Sequence, residues 1–267
     1  MKRLPQLVAD LTLIWSLEDL GEPLPNANVS CVIPARHKGA DVILKVQWPH
    51  EECRYEADAL RVWDGDGAAR LVAHDPVRHA LLLERCLPGR ALAEAGHPDP
   101  MAVMIELLPR LWKPAGPPFK PLADQARGWA SKLVDRWLEA GCPCERALVD
   151  AALMWLDELT PSQGEQVLVH QDLHGDNVIE AACGTWLAID PKPLVGERAF
   201  ALAPVIRSFE FGHSRDQVIG RLDRLASDLS VDRTRAEGWA IAQTIAWSFG
   251  SDYAQQHYET ARWLLNA

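Results

Sequence analysis

The chain has 267 residues, a formal net charge of -10, 48% hydrophobic and 24% charged residues. That much apolar material supports a sizeable core, and the length suits two lobes better than one compact domain. The acidic balance argues against a general nucleic-acid binder, which needs a basic surface, and is compatible with a cationic small molecule.

The start, MKRLPQLVADLTLIW, has no long apolar core or small-residue cleavage site and does not read as a secretory signal. No apolar run reaches the ~20 residues that span a bilayer, so no membrane partner is expected. Cys31, Cys53, Cys86, Cys142, Cys144 and Cys183 are scattered, as reduced thiols of a cytoplasmic protein would be. Cys142 and Cys144 lack the second pair that a structural zinc site requires. Nothing points to an obligate protein partner.

In chain order, VSCVIPA (Val29 to Ala35) and DVILKVQW flank the turn sequence HKGA and predict a hairpin. Val42, Leu44 and Val46 share one strand face; Ile43, Lys45 and Gln47 share the other. Strand evidence alone fits Lys45 equally well to an exposed position on an edge strand. Pro49 is predicted to open a helix with Glu51 and Glu52 in its first turn, where the helix dipole favours acids. Cys53, Ala57, Leu60 and Trp63 follow at helical spacing, Glu56 borders the buried face, and DGDG ends the helix. Gly65 and Gly67 follow a helix rather than a strand, so they read as a turn and not as a phosphate loop.

ARLVAHD and HALLLERCL read as two strands, and the Pro88–Gly89 break marks a lobe boundary. The expected division is an N-terminal lobe at 1–86 and a C-terminal lobe at 87–267, with a hinge at about 84–90. Three helical stretches follow (MAVMIELLPRLW, PLADQARGWASKLVDRWLEA, CERALVDAALMWLDEL), with GPPFKP as a linker between the first two. Short strands return in QVLVH, NVIEA and WLAID, and helices resume from Gly196. The fold class is therefore α+β: a small β-rich lobe with one key helix, then a larger helical lobe carrying a short β insertion.

That insertion holds VLVHQDLHGDNVIE, with His170, Asp172, His174, Asp176 and Asn177 within a loop. Such a cluster can bind a metal, perform phosphoryl chemistry or form a polar turn. Thirteen residues after Asn177, the strand TWLAID ends in Asp190. A turn and a second strand bring that end back beside the loop, so Asp172, Asn177 and Asp190 are expected to converge. Asp and Asn oxygens are the hard ligands magnesium takes, together with phosphate oxygens, and a further carboxylate can accept a hydroxyl proton. Two such ligands and one base are a minimal set for phosphoryl transfer from a nucleotide.

HQDLHGDN followed by AIDPK resembles the aminoglycoside phosphotransferase family, which has a bilobal protein-kinase-like fold. VLVHQDLHGDNV, LAIDPKPLVGERAF and EADALRVWDGDGAARLV are most similar to its streptomycin 6-kinase and hydroxyurea kinase branch. The resemblance covers essentially the whole chain and implies ATP or GTP with Mg2+ as cofactors. It implies Asp172 as catalytic base, Asn177 and Asp190 as metal ligands, and His170 as structural support, with His174 where protein kinases have lysine. It implies that Lys45 reaches the α- and β-phosphates and that Glu56 is its ion-pair partner, with Glu52 one turn earlier as a competitor. Backbone groups of Glu84, Arg85 and Cys86 would meet adenine. The implied acceptor is a cationic, streptomycin-like antibiotic, inactivated by phosphorylation, with Asp252, then Glu197 and Glu210, as the acids nominated to bind it.

One departure is Ala201, in FALAP, where the family commonly carries an acid that braces the catalytic loop. It supports a second reading, a catalytically silent kinase-like nucleotide-binding protein. A third reading takes His170, Asp172, His174 and Asp176 as ligands of a metallohydrolase. Asp176 otherwise reads as a turn residue and Lys192 as a solvated lysine.

Overall fold

The computed structural model describes residues 4–25 and 30–267. In chain order the N-terminal part comprises α1 (Leu4–Ile14), β1 (Leu17–Glu18), β2 (Ser30–His37), β3 (Ala40–Gln47), α2 (Glu56–Trp63), β4 (Leu71–Asp75) and β5 (Ala80–Glu84). The strands form one antiparallel sheet in the order β1-β2-β3-β5-β4. The β2–β3 turn is the two-residue kind that HKGA predicts. Lys38 and Gly39 both have positive φ (50° and 81°), so the turn twists with its strands. Val29 of the predicted first strand lies outside the described residues.

The alternation along β3 decides what each face of the sheet meets. Val42, Leu44 and Val46, with Ile33, Ala35 and Leu82, bury Leu4, Leu7, Val8 and Leu11 of α1. The period of that helix is legible in hindsight, but Leu13 and Ile14, both exposed, blur it. On the opposite face Ile43, Leu81 and Leu83 pack with Ala57, Leu60 and Trp63 of α2. Lys45 points into this second layer. Its strand is interior, paired with Val32 of β2 and Leu81 of β5, and the residue is 5% exposed, so the edge-strand alternative fails. Helix α2 starts later than the sequence suggests. Glu51–Cys53 form a single 3-10 turn, and Tyr55 breaks the helix at ψ 16° while its ring packs edge-on against Phe119. Asp64 (φ 43°) and Gly65 (φ 84°) end it as DGDG predicts.

The remainder comprises α3 (Pro100–Leu111), β6 (Lys120–Pro121), α4 (Leu122–Ala130), α5 (Leu133–Glu139), α6 (Arg146–Leu159), β7 (Gln166–Val169), β8 (Val178–Glu180), β9 (Trp186–Ala188), β10 (Leu194–Glu197), α7 (Arg198–Ala201), α8 (Ala203–Arg207), α9 (Arg215–Asp228), α10 (Arg233–Ser248) and α11 (Ala254–Leu265). Helix α10 is buried on every side from Gly238 to Ala246 and forms the axis of the lobe. Helices α6, α7, α8, α9 and α11 pack around it. Strands β8 and β9 make the predicted hairpin. Two short strands were not predicted: the end of the GPPFKP linker is β6, which pairs in parallel with β10. Strand β10, in turn, occupies the middle of a β6-β10-β7 sheet because Gly196 admits Leu122; a Cβ there would lie 2.6 Å from Leu122 Cβ. All six cysteines are free thiols. Among the described residues no helix is long and apolar enough to cross a membrane.

The α10–α6 contact depends on Gly238, where a Cβ would come within 2.6 Å of the Trp155 ring and 2.9 Å of Leu159 Cδ1. Alanine there gains ~1 kcal/mol of helix propensity but overpacks a core contact at ~1–3 kcal/mol, so the net effect is destabilising. Gly220 in α9 meets nothing within 4 Å. Gly238→Ala should therefore lower the thermal unfolding midpoint and Gly220→Ala should raise it, by about 0.5–1 kcal/mol of stability. Shifts of the same sign would show that the close approach is not limiting.

Candidate functional site

Two backbone hydrogen bonds fold the polar loop against the end of β9, a third ties it to the segment after the Pro88–Gly89 break, and one side chain closes it on itself. Lys192 N–H donates to the His170 carbonyl (3.0 Å), Ile189 N–H to the Asn177 carbonyl (2.9 Å), and Leu92 N–H to the Val178 carbonyl (2.8 Å). The Asn177 amide donates to the Asp172 carbonyl at 2.9 Å. Asp172, Asn177 and the Asp190 segment are thereby gathered as the spacing suggests. His170 locks the arrangement. Its Nε2–H donates to the Ile189 carbonyl (2.9 Å), its Nδ1 accepts from Asp172 N–H (3.3 Å), and its ring stacks on Trp63 of α2. Burial pushes its pKa down to about 4, so the ring is neutral. With both nitrogens engaged, His170 is no metal ligand, which removes one member of the metallohydrolase set.

Two residues of this strap, Gln171 (φ 67°) and Asp190 (φ 55°), sit in the left-handed region without being glycine. Such positions cost ~1–3 kcal/mol each and persist only where surrounding contacts hold them. Gln243 of α10 donates to the Gln171 carbonyl at 3.0 Å, and Asp190 is held by Lys45. Ala201, by contrast, is buried among apolar residues in α7. The loop is braced by Gln243 and by the Glu210 carboxylate, which accepts Gly175 N–H at 2.8 Å.

Asp172 is nearly buried between two cations. Lys192 Nζ lies 3.1 Å from Oδ2 and Arg207 Nη2 3.3 Å from Oδ1. Both cations also sit over the Trp247 ring, at 4.8 and 4.5 Å from its centroid. Burial alone would raise the Asp172 carboxyl, but Lys192 and then Arg207 outweigh it and hold the group below its ordinary range, ionised. Lys192 is therefore an ion-pair partner and not merely solvated. Arg207 and Trp247 were missed in the sequence. The one signal was a lone arginine closing an otherwise apolar run, ALAPVIR.

In the N-lobe layer, Lys45 Nζ donates to both Glu56 oxygens (2.8 and 3.0 Å) and to Asp190. Gln47 also donates to Glu56. Burial would lower the ammonium pKa, but Glu56 and then Asp190 reverse that and keep it charged. Glu56 thus holds Lys45; the side chain of Glu52 lies outside the described residues.

The aminoglycoside/hydroxyurea antibiotic resistance kinase family matches residues 14–249. The chain belongs to this family. A streptomycin 6-kinase of Streptomyces griseus is 36% identical over 250 residues, 91% of this chain and 81% of that protein. A hydroxyurea phosphotransferase of Kitasatospora aureofaciens is 34% identical over 91% of this chain and 71% of that protein. Among solved structures, the choline kinase LicA of Streptococcus pneumoniae superposes with a TM-score of 0.71 at 14% identity over all of both chains, a likeness of fold.

Within this family fold, the remaining nominated residues divide. Glu84 and Arg85 already donate their N–H groups to the Arg70 and Asp41 carbonyls, and the Glu84 carboxylate accepts Arg70 N–H. Those two amides are committed to backbone carbonyls, so neither is a free donor for the expected adenine contacts. Glu197 is a correction: it is buried, accepts two hydrogen bonds from Arg235 (2.7 and 2.8 Å) and one from Trp239, and is a strut of the helical lobe. Glu210 is a second correction. Its carboxylate is engaged by Gly175 N–H and by His174 Nδ1 at 3.1 Å, under the polar loop. Asp252 is exposed in the turn before α11. Asp176 is mostly exposed, 3.8 Å from His174 Nδ1.

Beneath Asp172, His257 of α11 is buried beside Arg207, and burial first, then that guanidinium and His213, push its pKa down to about 4. His170 and His257 both take a proton near pH 6.5 when unfolded and only near 4 when folded. The unfolded chain therefore binds more protons across that window, and stability falls as pH drops through it. We expect an unfolding midpoint that their contribution leaves unchanged above pH 7 and lowers from about pH 6.5 toward 4, with a shallower slope in His257→Gln. An equal slope in the variant would show that His257 is not buried neutral.

Proposed function

We propose that the chain is an ATP-dependent kinase that transfers the γ-phosphoryl group to a hydroxyl of a small antibiotic, in the cytoplasm, and so confers resistance. What chiefly supports the reading is an ionised, nearly buried Asp172 set within one strap with Asn177 and Asp190, the latter tied to Lys45 and Glu56. Asp172 accepts the proton of the acceptor hydroxyl as the acceptor oxygen bonds to the γ-phosphorus. The bond from that phosphorus to the β–γ bridging oxygen breaks, and ADP leaves. Lys45, steadied by Glu56, binds the α- and β-phosphates. The backbone of residues 84–86 borders the adenine site, at a hinge of about 84–90 between lobes 1–86 and 87–267.

Asn177 and Asp190 offer an amide oxygen and a carboxylate, hard donors that fit Mg2+, and Asp190 already meets a cation in Lys45. When bound there, the ion would neutralise charge on the transferred group. Lys192 and Arg207 bring positive charge beside Asp172, of the sign that incoming phosphoryl oxygens require.

The acceptor we infer is streptomycin or a related hydroxylated cation, by similarity to the streptomycin 6-kinase, with hydroxyurea as the second candidate from the other relative. Incubation with ATP and Mg2+ should add about 80 Da to the acceptor, the mass of a phosphoryl group. No such shift on either compound would reject both acceptors. Asp172→Asn should retain nucleotide binding and lose at least ~10²-fold in turnover, the lower range for a positioned base. Turnover within a few-fold of the parent would remove Asp172 from that role. Asp252→Asn should raise the acceptor Michaelis constant, more at low than at high ionic strength, and leave that for ATP unchanged. An unchanged acceptor constant would leave Asp252 a solvated turn residue.

A further inference from the structure

The hydrogen bonds around Glu210 define a chain that ends on Asn177. Asn177 Nδ2 has two hydrogens. One goes to the Asp172 carbonyl at 2.9 Å, the other to His174 Nε2 at 3.1 Å. A carbonyl only accepts, so the first bond fixes which end of the amide is nitrogen. The second requires a lone pair on His174 Nε2, which places the ring proton on Nδ1. Nδ1 lies 3.1 Å from Glu210 Oε1, an acceptor that holds the ring proton on Nδ1 whenever the ring is neutral; the same carboxylate helps raise the ring's pKa, so the neutral form is the one present at alkaline pH. Both amide hydrogens of Asn177 are then consumed, and its Oδ1 is the atom left to face outward.

The carrier of Glu210 is built to hold this position. Gly175 donates its N–H to the same Glu210 oxygen at 2.8 Å. A Cβ on Gly175 would meet Phe211 Cζ at 2.8 Å, Glu210 Cγ at 2.9 Å and Ala93 Cβ at 3.0 Å, so the glycine is what lets the 209–211 segment close on the loop. From behind, buried Arg221 of α9 donates to the Ile206, Phe211 and Gly212 carbonyls and pins both ends of the segment. None of these contacts serves an acceptor molecule, and all converge on one amide orientation.

We propose that Glu210 is a positioning residue: through the Nδ1–H tautomer of His174 it fixes the side-chain amide of Asn177 with Oδ1 toward the Mg2+–nucleotide. The inference rests on the kinase reading for what Oδ1 faces; the chain of hydrogen bonds stands without it. Removing Glu210 frees His174 to carry its proton on Nε2, where it would oppose the second Asn177 N–H and leave the amide held by the Asp172 carbonyl alone. Ligand-orienting partners of this kind typically contribute 10- to 100-fold in metal affinity.

The test reads the tautomer and the cation without an acceptor. Long-range 1H–15N NMR of the parent protein at alkaline pH should find His174 protonated on Nδ1, and Glu210→Ala should move the proton toward Nε2. Mn2+ titrated into the ADP complex and followed by electron paramagnetic resonance should bind roughly 10- to 100-fold more weakly in Glu210→Ala. Glu210→Gln keeps an acceptor oxygen and should retain the tautomer and most of the affinity. His174→Leu leaves the Glu210–Gly175 bond in place and should reproduce the Mn2+ loss, whereas His174→Gln, which can still accept from Asn177, should recover part of it; these two variants decide the matter if Glu210→Ala does not fold. Nε2–H on His174 in the parent protein, or unchanged Mn2+ affinity in both Glu210→Ala and His174→Leu, would overturn the proposal. So would a stoichiometric metal held by His174, Asp176 and Glu210, whose ligand atoms lie within 4.8 Å of one another. If the hydrogen-bond chain behaves as stated but no acceptor is ever phosphorylated, the function fails and the positioning role stands.

Discussion

A single buried ammonium organises the molecule. Lys45 sits on an interior strand, where an unpaired charge would be untenable, and two carboxylates from different parts of the fold make it stable. Glu56 comes from the helix packed under the same sheet, Asp190 from the strap at the end of β9. The pairing therefore joins the sheet, α2 and the helical lobe at one point. It also explains the order of the sequence. The lysine must be on the face toward α2, so Val42, Leu44 and Val46 must face the other way, and α1 is needed to cover them. One charge, placed once, is matched by which face of the sheet meets α2 and which meets α1.

The strained strap is the second half of the same device. Gln171 and Asp190 both take left-handed backbone conformations that relax if their partners are lost. Their partners are a side chain of α10 and the ammonium of Lys45. The deepest helix of the C-lobe thus holds the segment at Gln171 and the central strand of the N-lobe the segment at Asp190, and His170, bonded to the Ile189 carbonyl and stacked on Trp63, ties the two together. In the proposed reaction, binding nucleotide phosphates at Lys45 competes with Asp190 for that cation. The ligand and the lobe-to-lobe contact are then coupled by electrostatics alone.

What could be read from the sequence were features that are local or carried by short spacing. HKGA specified its hairpin turn because only a few residue types tolerate two positive φ values in succession. HQDLHGDN and AIDPK announced a polar loop and a returning strand, and their convergence follows from one hairpin. Glu56 could be placed on the buried side of its helix, yet Tyr55, whose ring meets Phe119, delays the helix start in a way no periodicity shows. The failures share one cause. Arg207 meets Asp172 across 35 residues of chain, Gln243 meets Gln171 across 72, Trp247 lies under Lys192 and Arg207 of earlier segments, and Arg221 reaches back 15 residues to Ile206; an arginine or glutamine in an apolar helix says only that it has some partner. Glu197 and Glu210 misled for the converse reason. An acid in a helical region of a cationic-ligand protein suggests a ligand contact, but Arg235 and His174 had claimed these two.

The distribution of charge in the cleft constrains how a cationic acceptor can lie. Beside Asp172 the protein keeps the cations Lys192 and Arg207 stacked over Trp247. A guanidinium or ammonium brought to that spot would meet two like charges at low effective dielectric, where repulsion is poorly screened. A hydroxyl would meet a carboxylate ready to accept its proton. The two halves of such a molecule are therefore sorted: neutral hydroxyl inward to Asp172, charged groups outward. Asp252, exposed in the turn before α11, has the sign that would suit them in the proposed reaction. A small neutral acceptor has no charged groups to be sorted, so in the proposed reaction the same arrangement would only have to bring its hydroxyl to Asp172.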